Sequence, residues 1–271
     1  MESTSFELLH SIQLDMLVKF DKLCSDNNLV YFLDSGTAIG AVRHMGFIPW
    51  DDDIDVAMPR KDYNRLLEIS ASALPENLYL QTYETDPNYM YPFGKIRLGR
   101  SFFPDIEVEK LKFQGIYIDI FPYDKVPANA TLAAMRIKIS RLLWFISVFS
   151  RRHYPGKNLV LRAASTFAHR LSVEGTRRLF RFYDRFCAKY NSRSTEKWTC
   201  YCWNMSQHNV YLFDQSELFP TNSTLFEGKE LKVVHDTDSY LTKMYGDYHS
   251  LPPEEKRKSH LKGRVFILDC D

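Results

Sequence analysis

The sequence predicts an α/β core followed by a mainly helical second half, and three observations carry that prediction. In the first 127 residues, stretches with the 3.6-residue repeat of helices alternate with short apolar runs of strand length. Two of those runs, at 53–58 and 115–122, hold Asp residues inside Ile- and Val-rich sequence too apolar for a surface ribbon. Beyond Pro127 the pattern changes, and residues 131–152 and 158–190 read as long helices. The organisation expected is an α/β core over 1–127, a basic helical region over 128–220, and a C-terminal segment over 221–271 that packs back on the core.

Taken in order, Thr4-x-x-Glu7 reads as a capping box that opens an amphipathic helix with Phe6, Leu9, Ile12, Met16, Phe20 and Leu23 at helical spacing. Residues 30–33 form a short buried strand. Asp34-Ser-Gly-Thr37 then turns the chain into a short helix over 38–44, with Gly36 and Thr37 at its start. Free N–H groups and the helix dipole at such a start favour an anion such as phosphate. Pro59 starts the next helix, with Tyr63, Leu66, Leu67 and Ile69 inward. Residues 78–82 and 94–98 read as strands; Lys95 and Arg97 on the second either reach an anionic substrate or are solvated. On the strand over 115–122, Ile116, Ile118 and Ile120 share one face and Asp119 takes the other. A carboxylate there needs an ion, a hydrogen bond or a partner such as Arg43 or Arg97. On the helix over 158–190, Leu179, Phe182, Tyr183, Phe186 and Tyr190 form the expected inward stripe, and Arg178, Arg181 and Arg185 lie off it. Residues 236–245 should be a helix stopped by Gly246.

The composition, 45% hydrophobic and 25% charged, is that of an ordinary globular chain, and the net charge is +1. Its distribution is uneven. Residues 131–193 carry 14 Lys and Arg against two acids, Glu174 and Asp184, a local +12 that leaves about −11 elsewhere. That asymmetry suggests an anionic partner for the basic region, and two explanations compete: a solvated helical surface, or a platform for an anionic acceptor or an anionic membrane face. Five widely spaced cysteines (Cys24, Cys187, Cys200, Cys202 and Cys270) offer no zinc-pair spacing and read as thiols. No signal precedes the first helix, and the longest charge-free apolar run, 142–150, is too short to span a membrane. A cytoplasmic, reduced protein is expected, peripheral at the inner membrane face at most. No repeat, low-complexity tract or Pro/Gly linker occurs. The aromatic and Cys cluster over 198–204 matches no motif.

The chain is organised around Phe47-Ile-Pro-Trp-Asp-Asp-Asp-Ile-Asp-Val-Ala-Met58, in which Asp51, Asp52, Asp53 and Asp55 fall within five positions. If the run beginning at Asp53 is a strand, Ile54, Val56 and Met58 share one side, and Asp53 and Asp55 point to the other with Asp51. Carboxylates crowded on one face repel unless a cation lies between them, and such oxygen ligands suit Mg²⁺ or Mn²⁺. The bland alternative is a solvated acidic turn; the EF-hand spacing is absent. A Gly-Thr turn, a D-x-D pair and a third Asp on a later strand form a set that handles phosphate oxygens through divalent ions. No Walker A sequence, kinase signature, G-x-G-x-x-G or G-x-S-x-G accompanies it.

The order helix, strand, Gly-turn, helix, DxD strand and distal Asp strand resembles the nucleotidyltransferase superfamily of the polymerase-β kind. More closely the sequence resembles the LicD family, related to fukutin. The residues that carry the resemblance are Asp34-Ser-Gly-Thr-Ala-Ile-Gly-Ala-Val-Arg-His44, Phe47-Ile-Pro-Trp-Asp-Asp-Asp-Ile-Asp55, Arg60-Lys-Asp-Tyr63, Ile118-Asp-Ile-Phe-Pro122, Tyr245-Gly-Asp-Tyr248, Pro252-Pro253 and His260. It covers 30–122 densely and 225–260 sparsely. It implies a nucleotidyltransferase-like mixed sheet and a transferase that moves phosphocholine, or a related phospho-alcohol, from a CDP-alcohol donor to a glycan or lipid-linked glycan, such as a teichoic-acid precursor or lipopolysaccharide. No nucleic-acid partner is expected. Metal ligation carries over onto Asp53, Asp55 and Asp119, which are also the expected catalytic residues, and phosphate binding onto Gly36 and Thr37. Arg43, His44, Lys95 and Arg97 are further candidates for substrate contact. The Ser-Gly-Thr turn departs from the Gly-Gly or Gly-Ser of general nucleotidyltransferases. Two rival readings use the same residues: attack at a nucleotide α-phosphate, and an inactive binder of anionic glycans.

Overall fold

The computed structural model describes residues 6–103, 111–150, 158–202, 210–259 and 265–267. Helix α1 (Phe6–Asp26) buries Leu9, Gln13, Met16, Leu17, Phe20, Leu23 and Cys24 at the spacing of one helix face. Thr4, its expected cap, lies outside the described residues, as do His260 and Cys270. Strand β1 (Phe32–Leu33) leads into α2 (Ser35–His44), which starts at Ser35 rather than Ala38 because Asp34 caps it. The Asp34 carboxylate accepts the Ser35 N–H at 2.9 Å, and Ser35 sits at φ +50°, left-handed backbone that a non-glycine residue adopts only at a cost of about 1–3 kcal/mol. Strand β2 (Asp55–Pro59) begins later than expected, leaving Asp53 in the loop before it, and runs straight into α3 (Arg60–Ala73). Tyr63 and Leu66 of α3 are buried, with Leu67 and Ile69 packed against the same core.

Strands β3 (Leu78–Gln81), β4 (Gly94–Leu98), β5 (Ser101–Phe102) and β6 (Tyr117–Lys125) follow. The main sheet has seven strands in the order β1-β2-β6-β4-β3, with β7 (Lys197–Thr199) on the far end of β6 and β8 (Phe213–Asp214) beyond it. It is a mixed sheet: β2 and β6 run parallel, and the other pairings within it are antiparallel. Ile54, Val56, Ala57, Met58, Ile116, Ile118 and Ile120 are all fully enclosed, which explains why those runs are so apolar.

Between β6 and β7 lie α4 (Ala130–Phe149), α5 (Leu159–Ala168) and α6 (Val173–Ala188). The single helix expected over 158–190 is therefore two. Ser172 restarts the chain as an N-cap, its hydroxyl accepting the Gly175 N–H at 3.0 Å. The stripe on α6 is also rotated from the expected one: Thr176, Phe180, Tyr183 and Cys187 are buried, while Phe182 is half exposed. The cause is polar. Asp184 turns inward to Arg60, and Phe180 stacks on Tyr83. The unassigned cluster after residue 196 supplies β7, whose Trp198 and Thr199 suit an enclosed strand; residues 203–204 lie outside the described residues.

After the short α7 (Gln215–Leu218), a hairpin of β9 (Asn222–Phe226) and β10 (Lys229–Val233) turns at Glu227 and Gly228, both at positive φ. This hairpin, absent from the sequence reading, rests on β1 and α2. Helix α8 (Thr237–Tyr245), capped by Asp236 and ended by Gly246 at φ +69°, packs on α2, and β11 (Phe266–Ile267) pairs with β5. Cys24, Cys187, Cys200 and Cys202 are buried and form no disulfide. Among the described residues no helix is long and apolar enough to cross a membrane.

The helical part is tied to the sheet through buried charge. Arg60 is bidentate to Asp124 (3.0 and 2.8 Å) and reaches Asp184 at 3.1 Å, while Asn191 donates to Asp124 at 2.7 Å and the Tyr83 hydroxyl donates to Asp184. Asp124 is wholly enclosed, whereas the Asp184 side chain is a quarter exposed. Asp124→Asn leaves the enclosed guanidinium short of its main partner and is expected to destabilise the fold by about 3–5 kcal/mol, with a smaller loss for Asp184→Asn. Urea unfolding midpoints of the two variants check both the size and the order.

Candidate active site

The parallel register of β2 and β6 sets Asp55 directly beside Asp119, and the antiparallel β4 sets Lys95 on the other side of Asp119. Alternation then sends Ile118 and Ile120 into the core and Asp119 to the opposite face. Asp53, two residues before Asp55, completes the group: one carboxylate oxygen from each of Asp53, Asp55 and Asp119 lies within 4.8 Å of the others. Asp51, Asp52 and Asp53 meet the same distance among themselves. Lys95 Nζ is 2.5 Å from Asp119 Oδ1 and 3.6 Å above the centre of the Tyr117 ring. Lys95 is thus neither solvated nor bonded to a distant group; it is buried at the edge of the carboxylates.

The Asp loop is irregular backbone, and neighbouring elements hold it. His10 and Gln13 of α1 donate to the carbonyls of Asp51 (2.7 Å) and Asp52 (2.8 Å). The Asp55 N–H donates to Thr37 Oγ1 at 2.9 Å, the Asp34 N–H to the Asp55 carbonyl at 2.9 Å, and the Asp119 N–H to the Ile54 carbonyl at 2.8 Å. Asp52 is buried and accepts from the Ser259 hydroxyl, so the C-terminal segment also closes on this loop.

Burial and mutual repulsion raise the pKa values of the group, making its members weaker acids. Desolvation first, then the charges of Asp119 and Asp52, push Asp53 up to about 6. Desolvation with Asp53 and Asp52 pushes Asp51 up to about 8, and Asp55 is driven well above the usual carboxylate range by burial and by Asp53 and Asp119. Behind them, Asp34 is fully enclosed and raised to about 7 by burial, against hydrogen bonds from the Tyr240 and Tyr123 hydroxyls and the Ser35 N–H. An all-oxygen set of three close carboxylates, its charge opposed by the Lys95 ammonium, is the donor chemistry of a hard divalent cation.

The other sequence candidates fall into two places. Gly36 and Thr37 stand in the first turn of α2 beside the carboxylates, where α-helical bonding supplies no acceptor for their N–H groups. A Cβ on Gly36 would come within 2.8 Å of Asp51 Oδ2, so the glycine admits that carboxylate. The Thr37 hydroxyl oxygen already fixes the Asp55 N–H. Arg43 and His44 are at the opposite end of α2, about 11 Å along its axis from Gly36. Arg43 donates to His44 Nε2 (3.0 Å) and to the carbonyls of Tyr248 (2.8 Å) and Ser250 (3.4 Å), joining α2 to the C-terminal segment. Arg97 is fully buried and donates to Gln81 Oε1 at 2.7 Å and the Gly115 carbonyl at 2.9 Å. Its guanidinium is directed into the interior rather than onto a substrate surface.

Sequence reasoning assigned no role to Asp34, Asp51, Tyr240 or Tyr245. Tyr240 donates to Asp34, and Tyr245 hydrogen-bonds Ser35 with Asp34 and Asp55 nearby. Asp51 was on the expected carboxylate face and could have been included on alternation alone. Tyr240 carries no local signal, because its partner lies some 200 residues earlier in the chain, and Tyr245 stood only within the Tyr245-Gly-Asp-Tyr248 motif of the family resemblance.

A family described as "LicD/FKTN/FKRP, nucleotidyltransferase domain" matches residues 28–138, which hold β1 through β6 and every carboxylate of the group. The chain is 32% identical over 260 residues to the lipopolysaccharide cholinephosphotransferase LicD of Haemophilus influenzae, covering 94% of this chain and 95% of that protein. Uncharacterized proteins of Rickettsia typhi (36% identical over 121 residues) and Rickettsia prowazekii (37% over 108) match 45% and 40% of this chain and 37% of their own lengths. The match to the Haemophilus protein runs through the helical region and the C-terminal segment as well as the sheet, and the chain belongs to the LicD family.

Proposed function

We propose that this chain transfers phosphocholine, or a related phospho-alcohol, from a CDP-activated donor to a hydroxyl of a glycan and releases CMP, with Mg²⁺ or Mn²⁺ as cofactor. The chain is a phosphotransferase by its near full-length relation to a cholinephosphotransferase. That relative's name also supports lipopolysaccharide, or a glycan like it, as the acceptor. The observation that carries the reading is the convergence of Asp53, Asp55 and Asp119 within 4.8 Å beside Lys95. The β2–β6 core, in this reading, is of the nucleotidyltransferase kind, in keeping with the domain that matches it.

Asp53, Asp55 and Asp119 would hold the cation. When bound, it supplies positive charge to the phosphate oxygens of the donor and steadies both attacking and leaving oxygens. The first turn of α2, at Gly36 and Thr37, offers N–H groups to a donor phosphate beside it. Lys95 is buried at the same edge and adds a fixed positive charge. The acceptor oxygen attacks the phosphorus distal to cytidine, the bond from that phosphorus to the bridging oxygen breaks, and CMP leaves with the electron pair. The hydroxyl proton passes to a carboxylate of the group; we assign it to Asp119, which lies on the sheet between β2 and β4.

Incubation with CDP-choline, CDP-ethanolamine and CDP-ribitol in the presence of Mg²⁺ is expected to yield CMP from CDP-choline. Pyrophosphate as the product of a nucleoside triphosphate would sink the reading. Asp53→Asn and Asp55→Asn should each lower turnover by at least ~100-fold with an unchanged circular dichroism spectrum.

Gly36→Val crowds Asp51 and the first turn of α2 at once, so the Michaelis constant for the donor should rise without loss of the folded state. Unchanged donor affinity would reduce the turn to a structural role.

The raised pKa values give a pH signature. A carboxyl group whose folded pKa exceeds its unfolded value stabilises the fold fully below the unfolded value, and the contribution is lost as pH rises through the folded one. Without divalent ions, stability should therefore fall from about pH 4 through the values near 6 and 8 of Asp53 and Asp51. A cation bound to the ionised group restores it, so the rise in melting temperature on adding Mg²⁺ should be larger at pH 8 than at pH 5. Equal shifts at both pH values, or none in wild type, would count against a metal on these residues.

A further inference from the structure

Helix α5 has its apolar side outward. At 3.6 residues per turn, Leu159, Ala163, Phe167, Val160 and Ala164 occupy one arc of about 140°. That arc faces solvent: Leu159 is 75% exposed, Val160 76% and Phe167 73%, and both alanines are exposed. The inward side holds the buried small residues Ser165 and Ala168 with the half-buried Leu161 between them, and the helix packs on α4. A helix that only stabilised this fold would carry the reverse pattern. The adjoining α4 repeats the feature, with Met135, Ile139 and Leu142 exposed at helical spacing.

The charges around these residues have one sign. Lys138, Arg162 and Arg170 are exposed and meet no acidic partner among the described residues. On α6 the case differs, because Arg178 pairs with Glu174 at 3.3 Å and Arg181 with Glu84 at 2.6 Å. Uncompensated positive charge is therefore available on α4 and α5, beside the exposed apolar side chains, while on α6 Arg185, unlike these two arginines, meets no acid among the described residues. An apolar arc edged by arginine and lysine suits the interface of a bilayer that carries negative headgroups.

We infer that α5, with the exposed stripe of α4, is a docking surface for an anionic phospholipid bilayer, entered by Leu159, Val160 and Phe167 and held by Lys138, Arg162 and Arg170. The surface lies outside the carboxylate site, and the inference does not rest on the phosphotransfer reading. Binding is peripheral and reversible, since a helix of 10 residues lies on a membrane and does not cross it.

Sedimentation of the full chain with vesicles of phosphatidylcholine, alone or with a third of phosphatidylglycerol, tests this at low and high salt. The expected result is binding to the mixed vesicles at least ~10-fold tighter than to the neutral ones, weakening as salt rises. Val160→Asp with Phe167→Asp, and separately Arg162→Glu with Arg170→Glu, should each reduce it by at least ~10-fold. Both double variants alter exposed side chains, so their circular dichroism and melting should match wild type. The inference is overturned if wild type binds neither vesicle or both alike, or if the Asp variant binds as wild type does. It is equally overturned if sedimentation equilibrium shows a dimer that the Asp variant dissociates while vesicles are ignored, which would make a second copy the occupant.

Discussion

Asp55 and Asp119 are paired across two parallel strands, and much of the architecture follows from keeping those carboxylates side by side. Two unit charges at about 4.8 Å repel by about 3–4 kcal/mol at an effective dielectric of 20, and Asp53 adds a third charge to the pair. Left alone, a strand register with that penalty would slip. It holds because the core-facing side chains of each strand are fully enclosed. A one-residue slip would turn Val56, Met58, Ile118 and Ile120 to the wrong face. Hydrophobic burial thus fixes the geometry, and the residual repulsion is left to protonation, Lys95 or a bound cation.

The rest of the site is a set of clamps from distant parts of the chain. Helix α1 holds the Asp loop by its carbonyls, through His10 and Gln13. Helix α2 holds the first residue of β2 through Thr37 and Asp34. Helix α8 closes behind Asp34 through Tyr240, and Arg43 bonds the C-terminal carbonyls. Asp34 is the common node, for its backbone N–H bonds Asp55, its carboxylate caps α2, and two tyrosine hydroxyls donate to it. An enclosed carboxylate with three donors resists displacement, because losing any one leaves a buried polar atom without its partner.

What could be read from the sequence was whatever depends on local spacing. The alternation of Ile118, Asp119 and Ile120 and the D-x-D pair bring the three carboxylates to one place, and the Asp34 turn marks α2 to within a few residues. Where the outcome depended on tertiary partners, spacing misled. The inward face of α6 follows Asp184 to Arg60 rather than the phase of its aromatics, and Ser172 divides what periodicity joined. Lys95 and Arg97 are equivalent by alternation, yet one neighbours Asp119 and the other is enclosed by Gln81 and Gly115. The hairpin of β9 and β10 went unread because its strands are largely exposed and polar, so neither period stands out.

The charge count over residues 131–193 treats the helical region as uniformly basic, and the structure divides it. The arginines of α6 that face the sheet domain answer Glu84 on the loop after β3 and Glu174 on their own first turn, so they join elements of the same molecule. Such exposed pairs contribute little to stability, but the two glutamates offset most of the long-range field of those three arginines. Lys138, Arg162 and Arg170 have no such compensation among the described residues, and they stand beside side chains three-quarters exposed. The carboxylates of the site, by contrast, are gathered on the sheet with the buried Lys95 beside them. The two halves therefore present different surfaces: one recruits positive charge into a buried cluster, and the other offers positive charge outward over an apolar face.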